Sequence, residues 1–201
     1  MRNTLLIGLT ILTVFTSILV YAQANSALSE DLRPAEDPLA PHSARIENGG
    51  FEQPDVGSYE FVSERIPGWV IVHDGVEIID ASYGHGFRVR SGTQLVDLSG
   101  SGAISQAIPT DPGAPYCLVF YLYREPDAPA PSTLTVEAGD VREDYKIMPE
   151  QSEYRREELR FAGASGADVT RITFTGTIGD TEYGPIIDDV SVKPAGSCNR
   201  K

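Results

Sequence analysis

Apolar residues recur between residues 44 and 193 in short runs separated by Gly and Pro turns, not at helical spacing. Trp69-Val70-Ile71-Val72 is one such run, and Gly75 to Asp80 follows the turn His73-Asp74-Gly75. Phe87-Arg88-Val89-Arg90 alternates apolar with basic, Thr93 to Leu98 ends at Ser99-Gly100-Ser101-Gly102, and Ala103 to Ile108 ends at Pro109. Tyr116 to Tyr123 is the longest run, and Leu134 to Glu137, Tyr145 to Ile147, Glu158 to Phe161, Arg171 to Thr175 and Ile186 to Val192 complete the set. Only Glu150 to Leu159 has helix-friendly composition, and it carries no apolar stripe. Many short strands joined by Gly/Pro turns predict an all-β domain, a two-sheet antiparallel sandwich or barrel.

The period of two assigns faces. In the longest run Leu118, Phe120 and Leu122 point inward, which turns Cys117, Val119, Tyr121 and Tyr123 to the opposite side. In the last run Val190 and Val192 form the inward pair, and Asp188 falls on their side. Trp69, opening an apolar strand after Pro67-Gly68, reads as core.

Ahead of this region Arg2 precedes the uncharged run Leu5 to Tyr21 and the small-x-small sequence Ala22-Gln23-Ala24, the pattern of a secretory signal peptide over residues 1–24; an uncleaved signal anchor is the rival reading. Residues 25–43 hold Pro34, Pro38 and Pro41 with four acidic side chains and no aromatic, a composition too poor in apolar surface to fold, and read as a linker. The domain is expected over 44–193, with 194–201 as a C-terminal tail. Export implies a secreted protein, extracellular, periplasmic or in the cell wall, with no membrane attachment once the signal is removed.

Charge then narrows the partners. The 201 residues carry 29 acidic against 16 basic side chains, a formal charge of −13. A nucleic-acid binder needs a basic face, so that class is excluded, as is an anionic membrane surface. Two cysteines are too few for a zinc ribbon, and in an exported chain an even count implies oxidation, so Cys117 and Cys198 are expected to pair; two free thiols are the alternative in a reducing compartment. Catalysis has little support. No Gly-x-Ser-x-Gly elbow is present, and of the three histidines His42 lies in the linker and His73 at a turn. A glycosidase carboxylate pair is the one enzymatic alternative, and among 29 acidic residues a chance pair is easily made.

Four segments occur in a telling order: Asn48-Gly49-Gly50-Phe51-Glu52, Ile66-Pro67-Gly68-Trp69, Val76 to Asp80 followed by Gly92 to Leu98, and Gly184-Pro185-Ile186-Ile187-Asp188-Asp189-Val190. With Ile104-Ser105-Gln106 and Tyr116 to Phe120 between them, they resemble the domain-of-unknown-function 642 family over about Arg45 to Val192. The resemblance implies a galactose-binding-like jelly roll related to carbohydrate-binding modules. It also implies a structural calcium ion held by the side chains of Glu52 and Asp188 and a carbonyl of Gly50 or a neighbour, with Arg45 as an alternative partner for Asp188.

Sugar rings stack on aromatic faces while polar groups read their hydroxyls. Tyr121 and Tyr123 share one strand face and are the expected platform, with Arg88, Arg90 and Arg124 as donors; Tyr83 and His85, in the Gly-rich loop beside Phe87, offer a second edge. The expected function is a non-catalytic carbohydrate-binding module for extracellular or cell-wall polysaccharide. The alternative is a structural or interaction protein with an extracellular protein partner, such as a wall-modifying enzyme.

Overall fold

The computed structural model describes residues 44–177 and 183–198. The expected signal peptide and linker lie outside these residues, as does the end of the tail. Twelve strands follow one another as β1 (Tyr59–Val62), β2 (Arg65–Ile66), β3 (Trp69–His73), β4 (Val76–Asp80), β5 (Gln94–Asp97), β6 (Ala103–Pro109), β7 (Pro115–Arg124), β8 (Ser132–Ala138), β9 (Val141–Ile147), β10 (Arg155–Ala162), β11 (Val169–Thr177) and β12 (Pro185–Pro194). They form two six-stranded sheets, sheet 1 in the order β1-β4-β5-β12-β7-β10 and sheet 2 in the order β2-β3-β6-β11-β8-β9. Every pairing is antiparallel. The protein is an all-β jelly-roll sandwich.

The inward rows are those the alternation predicts. Leu118, Phe120 and Leu122 of β7 are fully buried and face Leu134 and Val136 of β8 and Ile172 and Phe174 of β11 within one core. Aromatic rings tie the layers together. Phe120 meets Phe174 edge-on at 5.3 Å, Phe174 meets Trp69 at 5.9 Å, and Trp69 meets Phe51 at 5.6 Å. The indole N–H of Trp69 is satisfied by the Asn48 carbonyl at 3.1 Å, so the ring is core and not a surface stacker.

Three expectations change. Phe87 to Arg90 is a loop, because Gly84, His85 and Gly86 take positive φ (74°, 51° and 84°) and the N–H groups of Arg90 and Ser91 go to the Asp188 carboxylate, not to a strand. Arg155 to Leu159, the second half of the helix-friendly stretch, lies in β10, and the mostly exposed edge strand β1 was not among the predicted runs. Third, β12 carries a bulge between Asp188 and Ser191, with Asp189 at φ 52°. The extra residue resets the alternation. Ile187 and Val190 both reach the core, with Val192 packed on it, while Asp188 pairs with Tyr121 on the outer side of sheet 1, opposite to its expected face. The bulge fits against the Asn48-Gly49-Gly50 turn: Val190 N–H donates to the Gly49 carbonyl at 2.8 Å, and a Cβ on Gly49 would lie 2.0 Å from the Val190 oxygen.

Candidate functional site

The outer side of sheet 1 is not left to water. Ile79, Leu95, Tyr123 and Ile186 form a second small core there, under Tyr83, Phe87, Val89 and Tyr154. The segment joining β4 to β5 lies over the sheet, and two carboxylates hold it. Asp188 Oδ2 accepts the N–H groups of Arg90 (2.9 Å) and Ser91 (3.0 Å). Glu52 accepts Thr93 N–H on both oxygens (3.0 and 3.1 Å), the Thr93 hydroxyl on Oε2 (2.9 Å) and Gln94 N–H on Oε1 (3.1 Å). Gly92, at φ 64°, gives Glu52 its room, since a Cβ there would sit 2.2 Å from Oε1. Burial pushes the Asp188 carboxyl up to about 7, against the pull of its backbone N–H donors.

This arrangement bears on the expected calcium ligands. Calcium asks for six to eight oxygen donors. Glu52 and Asp188 do meet on one loop, where their oxygens accept its N–H groups and the Thr93 hydroxyl. The pair, as hydrogen-bonded here, acts as a loop clamp; Arg45 is not a partner of Asp188 in any hydrogen bond or ion pair among the described residues.

The tyrosine platform is also changed. Tyr121 and Tyr123 do share the outer face, as read from the alternation. Tyr123 is only 5% exposed, stacked on Tyr154 at 4.9 Å, because the outer face is itself covered. Tyr121 is half-buried beneath the Arg90 guanidinium, 4.2 Å from its ring centre. Arg124 is spent on the carbonyls of Gln151 and Ala128, both at 3.3 Å. Arg88 is exposed beside Glu153 at 3.6 Å.

The loop residues form the open surface instead. Tyr83 stacks on Tyr59 of β1 with ring centres 5.4 Å apart, and meets His85 at 4.7 Å and Phe87 at 5.7 Å. Tyr59 is 42% exposed and Phe61, on the same side of β1, 54%. Asp80 caps the turn that raises Tyr83, accepting Ser82 N–H at 2.8 Å; the Ser82 side chain, and then this backbone bond, lower its pKa. Tyr59 donates to Glu77 Oε1 at 2.8 Å; partial burial, and then this bond, raise its hydroxyl to about 12. Tyr59 and Phe61 lie on a short edge strand that the sequence reading did not pick out. The period-two step from Tyr59 to Phe61 was the available signal. A separate open groove of about 490 Å³ lies at the β2–β3 hairpin of sheet 2, lined by Glu47, Arg65, Pro67, Gly68, Trp69 and Val70, and includes none of the expected binding residues.

Cys117 and Cys198 are joined by a disulfide that packs with Val119 on the same outer side of sheet 1. Among the described residues no helix is long and apolar enough to cross a membrane.

The family model described as "Protein of unknown function (DUF642)" matches residues 44–193. The chain belongs to this DUF642 family. No curated protein matches it. Among solved structures, this DUF642 domain is similar to the carbohydrate-binding module TmCBM61, solved in complex with β-1,4-galactotriose, at 17% identity and a TM-score of 0.51, with 74% of this chain and 97% of that chain covered. It is also similar to the tandem CBM22-1–CBM22-2 domain of Paenibacillus barcinonensis Xyn10C, at 10% identity and a TM-score of 0.50, with 81% of this chain and 49% of that chain covered. At such identities the likeness shows the jelly-roll fold.

Proposed function

We propose that this domain is a secreted, non-catalytic module that binds a neutral glycan, docking it on the row Tyr59, Tyr83 and His85. The observation that carries the reading is the cluster of rings at the surface beside polar groups, with Tyr59 and His85 exposed on either side of a half-buried Tyr83, an arrangement that offers aromatic surface to a sugar. The module solved with β-1,4-galactotriose shares this fold, which makes a β-1,4-galactan fragment the first ligand to try. A charge of −13 repels polyanionic polysaccharide. Hydrolysis is disfavoured because two of the three carboxyls that burial holds above their usual range, Asp97 and Asp188, are fully buried, where no pyranose ring reaches them.

Isothermal titration of the protein against neutral galactan and glucan oligosaccharides tests the reading. Each aromatic contact contributes about 1 kcal/mol or more, so Tyr83→Ala is expected to weaken binding roughly tenfold. Equal affinity in wild type and variant would remove the row from the site. Absence of binding to any neutral glycan would turn attention to a protein partner, for which Val70 and Val72, 55% and 51% exposed on neighbouring outward positions of β3, offer apolar surface.

A further inference from the structure

The groove of about 490 Å³ at the β2–β3 hairpin shares no residue with the ring row and lies at the other sheet. Its volume is that of a small-ligand site, about 300–1,000 Å³. Its walls are fixed by hydrogen bonds. Asn48 Nδ2 donates to the carbonyls of Pro67 (3.0 Å) and Gln53 (2.7 Å), and the Asn48 carbonyl holds the Trp69 indole N–H. The Gln106 side chain accepts Glu47 N–H at 2.7 Å and donates to the Glu47 carbonyl at 2.9 Å. Gly68, at φ 82°, lets the hairpin turn close on this segment, since a Cβ there would lie 2.9 Å from the Glu47 carbonyl oxygen. The groove is thus built before a ligand arrives, and little ordering entropy is lost on binding.

The lining decides what fits. Glu47 and Arg65 are exposed, and neither side chain takes part in a hydrogen bond or ion pair among the described residues. One offers only acceptors and the other only donors. An anion drawn to Arg65 meets Glu47, and a cation drawn to Glu47 meets Arg65, so neither ion suits the groove. The rest of the lining is apolar: Pro67 is half-buried, Val70 is 55% exposed, and Trp69, 1% exposed, lies behind them. A pyranose ring answers each part. Its C–H face packs on Pro67 and Val70, and its hydroxyls donate to Glu47 and accept from Arg65 in charge-assisted hydrogen bonds.

We propose that this groove is a second saccharide site, which takes one pyranose unit of a neutral glycan with Arg65 and Glu47 reading its hydroxyls. The inference rests on the glycan reading for its ligand class and is separate from it in position and residues. With the ring row on sheet 1 and the groove on sheet 2, one domain holds two glycan segments and links neighbouring chains.

Trp69 is the one tryptophan of the chain and lines the groove, so its fluorescence and its indole N–H signal in NMR report on the groove and not on the ring row. The test titrates the disulfide-bonded protein with β-1,4-galactotriose and with cellotriose while both signals are followed. A saturable change in the Trp69 signals is expected, and it should persist in Tyr83→Ala. Arg65→Ala and Glu47→Ala should each weaken it roughly tenfold or more, the scale of a lost hydrogen bond to a charged group, with melting temperatures unchanged because both side chains are exposed. Trp69 signals that stay constant while calorimetry detects binding that Tyr83→Ala abolishes would overturn the groove and leave the ring row standing. A Trp69 response abolished by Tyr83→Ala would also overturn it, because the two places would then be one site. A response that survives in Tyr83→Ala, with calorimetry unchanged in that variant, would remove the ring row and leave the groove. Trp69 signals that respond to short peptides and to neither sugar would assign the groove to a protein partner and overturn the saccharide reading of it.

Discussion

On the outside of sheet 2, Arg171, Thr173 and Thr175 of β11 stand between Ser105 and Ala107 of β6 and Thr133, Thr135 and Glu137 of β8. On the outside of sheet 1 the equivalent rows hold Ile79, Leu95, Ile186 and Tyr123, with Asp97 and Asp188 enclosed among them. Sheet 2 follows the usual rule for an antiparallel sheet, apolar inside and polar outside, and its charges meet at the surface, as in Arg142 with Glu137 at 2.8 Å. Sheet 1 is covered twice: residues 81–93 and Tyr154 lie over one part of it, and the turn bearing Cys198 lies over Cys117 and Val119. A covered outer face can hold carboxylates at raised pKa and fix a loop with buried hydrogen bonds. An open face has water to satisfy its groups and needs neither.

The largest test of this contrast is the bridge. It spans a sequence separation of 81, and the chain-entropy model gives an upper value of about 4–5 kcal/mol for a loop of this length. Cys117→Ala with Cys198→Ala is expected to lose a large part of that in urea unfolding. A loss near zero would mean that the tail contributes nothing to the cover of sheet 1.

Next comes a pair of truncations. Tyr123→Ala removes a buried ring stacked on Tyr154 and should cost about 3–4 kcal/mol, the range for large aromatic side chains in cores. Val70→Ala on sheet 2 should stay within about 0.5 kcal/mol, as exposed substitutions do. Similar values for the two in denaturant titrations would erase the distinction between a covered and an open face.

The alternation made one layer legible and left the next obscure. Leu118, Phe120 and Leu122 could be assigned inward because every second residue was apolar, and Trp69 because it opened an apolar strand. The same rule placed Tyr121 and Tyr123 outward correctly, but outward does not mean exposed. The clue was present in Val76-Glu77-Ile78-Ile79 and in Pro185-Ile186-Ile187, where adjacent apolar residues cannot both face a single core. Asp188 was misplaced because a bulge shifts the alternation by one residue and leaves no mark in a pattern read at fixed period. Asp97 lay in a segment that signalled the family, yet nothing local shows that a carboxylate in a strand is enclosed; its partners Glu77 and Glu125 come from other parts of the chain.

The last effect concerns pH, and its sign follows from Asp188. In the folded protein its pKa is raised from 3.8 to about 7, burial outweighing the three backbone N–H donors. An acid whose folded pKa lies above its unfolded value binds more protons when folded. Its contribution to stability is therefore complete below about pH 4 and is lost as pH rises through about 7. Asp97 and Glu125, raised in the same direction, add to this slope, and all three lie on the sheet 1 side. In chelator-containing buffer the melting temperature should fall between pH 5 and pH 8, and Asp188→Asn should flatten the fall. Carboxyl-carbon NMR should place the Asp188 midpoint near neutrality. A midpoint near 4 with an unchanged slope in the variant would show that water reaches this carboxylate and that the cover over sheet 1 is open at the clamp.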